Sequence, residues 1–281
     1  MTVLDLGPEH LPELSTFLKH EPEINLYSLD VLENRSMSPL SLDEWRGVFD
    51  GGKLIAASLA VGRYKEGMAA NLLTPFGDRD ACRKLGAFEA DLGGAKNLLG
   101  PTEASLAMLE GLGSPVCRLN DSENLFVCRS KPRPMTYLSL RPAVREETDI
   151  IEAMSAEMQL EDIGLDPRTV DPESHHYGVV ARIASGRTLV GRQKGRICFM
   201  IDIGTRCKAG SQVGGTYVPP EFRGQGWGTQ GMRGCAAYLL GGISEMVTLL
   251  VRESNTPAIK TYHRAGFEPY ALFRRIEISG E

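Results

Sequence analysis

The most constraining stretch of this sequence is Tyr217-Val218-Pro219-Pro220-Glu221-Phe222-Arg223-Gly224-Gln225-Gly226-Trp227-Gly228-Thr229. A β-branched and aromatic run, which favours a strand, meets two prolines that cannot continue it and then three alternate glycines. From Gly228 onward Met232, Ala236 and Leu239-Leu240 recur at helical spacing. The pattern predicts strand, loop and helix. Glycines ahead of a helix N-terminus let backbone N–H groups approach an anion, and the positive end of the helix dipole favours negative charge there. Arg223 adds a cation. The chemistry that fits is a phosphate or pyrophosphate.

Rival phosphate loops fit less well. A P-loop needs GxxxxGK followed by Ser or Thr, and no lysine stands in that place. Gly226, Gly228 and Gly231 do spell the GxGxxG of a dinucleotide-binding fold. That loop leaves its strand directly, however, whereas seven residues separate Val218 from Gly226 here. The acidic residue expected about 20 positions later is Glu245, which precedes the next strand, Met246 to Val251, instead of ending it. A Gly-rich packing turn without a ligand is the bland alternative.

A second segment narrows the choice. After the strand at Leu249-Leu250-Val251, the residues Asn255, Ala258, Tyr262, Gly266 and Phe267 spell N-x-x-A-x-x-x-Y-x-x-x-G-F. Thr256-Pro257 can cap and start a helix, and Gly266 can end it in left-handed geometry. Asn255 and Tyr262 stand about two turns apart and so share a face. A core aromatic with a satisfied hydroxyl is the alternative for Tyr262. Together, Arg223-Gly224-Gln225-Gly226-Trp227-Gly228 and this segment resemble the two signature regions of the GNAT acetyltransferases. The likeness covers about Met135 to Ser279, its specific motifs Thr216 to Phe267.

The resemblance implies an α/β (α+β) fold with a mixed central sheet flanked by helices, whose parallel strands splay to admit the pantetheine arm of acetyl-coenzyme A. Those strands would be Gln212 to Val218 and Met246 to Val251. It implies that the backbone of Thr216, Tyr217 and Val218 bonds the pantetheine and acetyl groups. Arg223, Gly224, Gln225, Gly226, Trp227, Gly228 and Thr229 would serve the pyrophosphate, and Asn255 would contact the co-substrate. Tyr262 would protonate the departing thiolate as an amine attacks the thioester directly. The attacking amine must be neutral, so a base has to take its proton. Some members carry a glutamate five residues before the asparagine; that position is Leu250 here. Asp202, within the apolar run Ile197 to Ile203, is the substitute, because a half-buried carboxylate has its pKa raised. An outward-facing surface charge is its structural alternative. A coenzyme A-binding sensor or docking module without catalysis is the alternative function, and retention of Tyr262 favours the enzyme.

The 281 residues allow one large domain or two smaller ones. Pro132 and Pro134, set among Ser130, Lys131 and Arg133, predict a linker at 131–134. It separates a first domain, 1–130, from a second, 135–281. Each half opens strand, helix, helix, strand, strand, strand. The first half has no RxxGxG, since Thr74-Pro75-Phe76-Gly77-Asp78-Arg79 follows its third strand, near Met68 to Leu73. It reads as a degenerate GNAT-like domain, making two in tandem.

A formal net charge of -5 and the lack of a Lys/Arg cluster argue against nucleic-acid binding. No apolar run approaches a membrane span and no signal-peptide pattern opens the chain, so a cytoplasmic protein is expected. Six cysteines show no CxxC pair or zinc spacing. In apolar runs such residues act as small hydrophobes, and no metal is expected. His175-His176 are adjacent, hence about 100° apart on a helix, and read as a surface or partly buried pair. The partners expected are acetyl-coenzyme A and an amine; homo-oligomerisation is left open.

Overall fold

The computed structural model describes residues 1–34, 43–63, 67–131 and 137–279. Pro132, Arg133 and Pro134 of the expected linker lie outside the described residues. The chain forms two compact units. One holds residues 1–125, 251–254 and 269–281; the other holds 126–250 and 255–268.

The elements of the first half are β1 (Thr2–Asp5), α1 (Leu11–Leu18), α2 (Pro22–Asn34), β2 (Glu44–Asp50), β3 (Lys53–Val61), β4 (Leu72–Gly77), α3 (Arg79–Asp91), β5 (Asn97–Pro101), α4 (Thr102–Gly111) and β6 (Cys117–Cys128). The second half runs β7 (Leu140–Pro142), α5 (Thr148–Ile163), α6 (Pro167–Val170), α7 (Pro172–Ala184), β8 (Thr188–Gln193), β9 (Arg196–Cys207) and β10 (Gly210–Tyr217). It ends with α8 (Trp227–Leu239), β11 (Val247–Arg252), α9 (Thr256–Ala265) and β12 (Glu268–Ile278). Among the described residues no helix is long and apolar enough to cross a membrane.

In the first unit the strands lie in the order β1-β2-β3-β4-β5-β12. Only β4 and β5 of these run parallel, meeting at Leu73 and Leu98. The hairpin β2–β3 closes on Gly51 and Gly52, whose φ of 56° and 81° are those of a tight turn matched to the strand twist. Strand β4 begins later than its composition predicts and carries Thr74-Pro75-Phe76-Gly77 inside it, paired with Ala56 to Leu59 of β3. Those residues were expected to follow the strand; antiparallel pairing with β3 places them within it. The last strand, β12, was not legible as an element; it pairs Phe273 to Glu277 with Pro101 to Asn97 of β5.

Leu73, Leu85, Leu98, Met108 and Ile276 are fully buried together in this unit. Helices α3 and α4 touch through glycine. A Cβ at Gly86 would fall 2.1 Å from the Met108 carbonyl oxygen, and one at Gly111 would fall 2.0 Å from that of Arg83. Beside this core Glu89, with no exposed surface, takes Arg46 on one oxygen at 2.9 Å and Arg63 on the other. Glu44 bridges both guanidinium groups, at 2.8 Å and 3.0 Å.

The second unit orders its strands β11-β10-β9-β8-β7, with only β10 and β11 of these parallel. Alternation along β9 sends consecutive side chains to opposite faces. Met200 joins Ile151, Met154, Val179 and Tyr217 on the face of α5 and α7. Phe199 meets α8, where a Cβ at Gly231 would lie 2.2 Å from its ring. The sheet is thus flanked on both faces. His175 is buried with its Nε2 3.2 Å from the Glu152 carbonyl, and His176 pairs with the Glu152 carboxylate at 2.8 Å.

Glu89→Gln leaves two buried guanidinium groups short of their shared counter-charge. It should lower the unfolding free energy in urea by about 3–5 kcal/mol, the cost of breaking a buried pair; a change near zero would mean the cluster contributes no net stability.

Candidate functional site

The site grows from the way β10 and β11 pair. Their register covers Ser211 to Val213 against Val247 to Leu249, and the strands continue past it to Tyr217 and Arg252. On its other side β10 is irregular between Gly214 and Tyr217, with Gly215 at φ 61°. Beyond the bulge, neighbouring side chains part company. Tyr217 turns into the α5–α7 core, where its hydroxyl donates to Glu157 Oε2 at 2.8 Å. The Thr216 hydroxyl donates to the Met232 sulfur of α8 at 3.8 Å.

After β10 the prolines force a short 3-10 turn at Pro220–Phe222, and the chain reaches α8 through Gly224 and Gly226. Both have positive φ, 72° and 81°. A Cβ at Gly224 would meet nothing within 4 Å, so backbone conformation and not crowding selects glycine there. Gly226 is the N-cap of α8 and offers no side-chain cap, and the first turn contains no acidic residue. The first N–H groups of an α-helix have no partners within it. Here they open onto the loop without a side-chain acceptor at the N-cap, an arrangement that suits an anion.

The other wall is α9. Asn255 is its N-cap, its side-chain oxygen accepting from the Ala258 N–H at 3.2 Å. The expected capping by Thr256 is therefore corrected: Asn255 caps, Thr256 and Pro257 form the first turn, and Gly266 ends the helix at φ 95°. With that oxygen spent on its own helix, the Asn255 amide nitrogen and backbone are what it can offer a ligand.

These walls enclose a cleft of about 490 Å³. Thr216, Tyr217, Val218, Arg223, Gly224, Gly226, Trp227, Gly228, Thr229, Asn255 and Tyr262 all line it. Gln225 does not; its amide donates to the Glu221 carbonyl at 2.9 Å, folding it back on its own loop. Tyr262 is only 9% exposed. Burial holds its phenol above the usual range, opposed by Thr216. It therefore keeps its proton at neutral pH.

Asp202 stands apart from the cleft lining. It sits on β9 opposite Gly214, accepts from the Thr188 hydroxyl at 2.6 Å and lies 3.1 Å from Arg182 Nε. A Cβ at Gly215 would fall 3.0 Å from its Oδ2, so the carboxylate lies against the β10 bulge. Burial raises its pKa, while Arg182 and Thr188 pull it down. Glu161, Phe222, Pro257, Ala258, Thr261 and Arg264 also line the cleft and were given no binding role in the sequence. Helical spacing reaches Ala258 from Asn255 and Thr261 from Pro257; no local signal joins Glu161 to a loop some sixty residues on.

Among the described residues no group of three or more His, Cys, Asp or Glu could hold a metal. Burial raises the thiols of Cys82 and Cys235, both up to about 12.

Residues 144–267 match the profile of the acetyltransferase (GNAT) family. A GCN5-related N-acetyltransferase from Sphaerobacter thermophilus superposes with a TM-score of 0.60 at 15% identity, over 100% of this chain and 96% of that one. A GNAT-family acetyltransferase from Colwellia psychrerythraea gives 0.58 at 12%, over 99% and 100%. A tandem GNAT protein from the clavulanic acid biosynthesis pathway gives 0.54 at 16%, over 100% and 99%. At such identities the likeness is one of fold. No curated protein matches the chain.

Two kinds of glycine meet in this loop and helix, and alanine separates them. Gly224→Ala and Gly226→Ala should each cost about 1–2 kcal/mol, the penalty of left-handed backbone. Gly231→Ala should cost more, since its added carbon would strike Phe199. Urea titration of the three proteins checks the order.

Proposed function

We propose, from the match of residues 144–267 to the acetyltransferase (GNAT) family, that this protein is an N-acetyltransferase passing the acetyl group of acetyl-coenzyme A to an amine. The observation that carries the reading is the uncapped N-terminus of α8, set behind two positive-φ glycines at the end of a parallel strand pair. A pyrophosphate supplies the acceptor oxygens that those N–H groups lack. The pantetheine arm would run along Thr216, Tyr217 and Val218, whose backbone borders the cleft.

The chemistry asked of the chain is modest. The amine nitrogen attacks the thioester carbonyl, the C–S bond breaks, and the thiolate needs a proton. Tyr262 carries that proton at the cleft wall, which Thr216 also lines. Asp202 is our candidate to receive the proton of the amine. It lies against the bulge of β10, and burial raises its pKa toward the range where a base operates. Leu250 leaves no carboxylate at the alternative place.

The first unit is proposed to bind no coenzyme A. Only Asp78 separates β4 from α3. Its carboxylate accepts from the Ala81 N–H at 3.0 Å, so a fixed anion occupies the helix end that a phosphate would need. A Cβ at Gly100 would lie 2.8 Å from the Pro75 carbonyl oxygen, which leaves no gap between those parallel strands for a pantetheine arm. This half is the degenerate domain of a tandem pair.

Acetyl-coenzyme A at a hundred times its dissociation constant should stabilise the protein by about 2.7 kcal/mol, with ATP and NAD doing far less. Thermal shift assays read this directly. Equal protection by NAD would return the loop to the dinucleotide-binding reading.

Tyr262→Phe separates enzyme from sensor. The ring and its packing stay, so cofactor affinity and melting temperature should hold. The turnover rate should fall by about 10²-fold or more, the low end of general acid catalysis. Such a loss in kcat without a loss in binding marks an interaction made in the transition state. Unchanged kcat would remove the hydroxyl from the mechanism.

A further inference from the structure

The loop cation is not held ready for phosphate. Arg223 donates from Nε to the Val218 carbonyl at 2.9 Å and from Nη2 to both oxygens of Glu161, each at 2.9 Å. Its guanidinium also lies 5.3 Å from the centre of the Tyr217 ring. One edge and one face are thereby committed within the protein.

The commitment is organised. Glu161 sits one helical turn after Glu157 on α5, so the two carboxylates share a face. Glu157 takes the Tyr217 hydroxyl and Glu161 takes Arg223, which itself stacks on Tyr217. From these contacts we infer that Glu161 is a positioning residue: it clamps Arg223, and through it fixes the start of the loop whose next residue, Gly224, turns to φ 72°.

This inference rests on the acyl-coenzyme A reading of the cleft, and it deepens that reading. A carboxylate lining a cleft that receives a polyanion is a liability by Coulomb's law alone. Removing it should then tighten binding. If the clamp sets the loop, removing it weakens binding instead. The two effects have opposite signs.

The test is calorimetric Kd for acetyl-coenzyme A with the wild-type chain, Glu161→Ala, Arg223→Gln and the double variant. We expect Glu161→Ala to weaken binding by about tenfold, with the double variant no weaker than Arg223→Gln, as for residues acting through one contact. The unliganded melting temperature should drop by at most about 4 °C, because a partly exposed pair contributes little to folding. Unchanged or tighter binding by Glu161→Ala would overturn the inference, as would losses that add in the double variant or a large fall in melting temperature. Failure of the wild-type chain to bind acetyl-coenzyme A would instead remove the cofactor reading, and this inference with it.

Discussion

Everything proposed for this protein depends on a short parallel pairing. β10 and β11 share a register over Ser211 to Val213 and Val247 to Leu249, and then each strand goes on beyond it. Backbone groups of paired strands satisfy one another; past the shared register, β10 has its backbone beside a cleft. The bulge between Gly214 and Tyr217 adds the second half of the constraint. It lets Tyr217 bury toward α5 while Thr216 turns toward α8, so one strand end is anchored on both faces. A straight, fully paired β10 would leave neither cleft nor anchor.

The two halves of the chain show what the site costs. In both, the fourth strand leads into a helix and a parallel neighbour follows that helix. In the first, Asp78 caps α3 directly and the connection is as short as it can be. A side-chain cap of this kind stabilises a helix by about 1 kcal/mol. α8 forgoes that stabilisation and accepts two left-handed residues in its lead-in. Local choices that oppose stability are expected where a ligand supplies the missing partner. Asp78 and Gly226 are thus opposite answers to the same question of what satisfies a helix N-terminus.

How much of this was legible follows from the range of each signal. The glycine loop and the Asn255–Tyr262 helix are local patterns, and the residues read from them line one cleft, Gln225 excepted. Helical spacing of Met232, Ala236 and Leu239 located α8, and the start and stop residues Pro257 and Gly266 located α9. Local pattern was weakest where composition and pairing disagree. β4 holds Pro75 and Gly77 because β3 supplies the ladder, and β12, whose apolar run is interrupted by Arg274 and Arg275, is defined as a strand by its pairing with β5. Asn255 also misled locally: by residue type it is the better cap, but the motif had assigned it to the co-substrate and the cap to Thr256.

Arg223 marks the sharper limit. Its residue type announces a cation beside phosphate-binding glycines, and nothing nearby in sequence says otherwise. The guanidinium is instead engaged by Glu161, on a helix whose sequence position is remote from the loop. What a charged side chain contributes depends on which partner reaches it first, and that is decided by packing α5 against the end of β10. Other packing sets the surroundings of the proposed acid and base, Phe126 and Phe267 around Tyr262 and Arg182 and Thr188 around Asp202. Tyr262 keeps its proton because burial outweighs the pull of Thr216, and Asp202 is raised by burial against Arg182 and Thr188. A motif therefore supplies the groups, while the fold fixes their protonation and their allegiance.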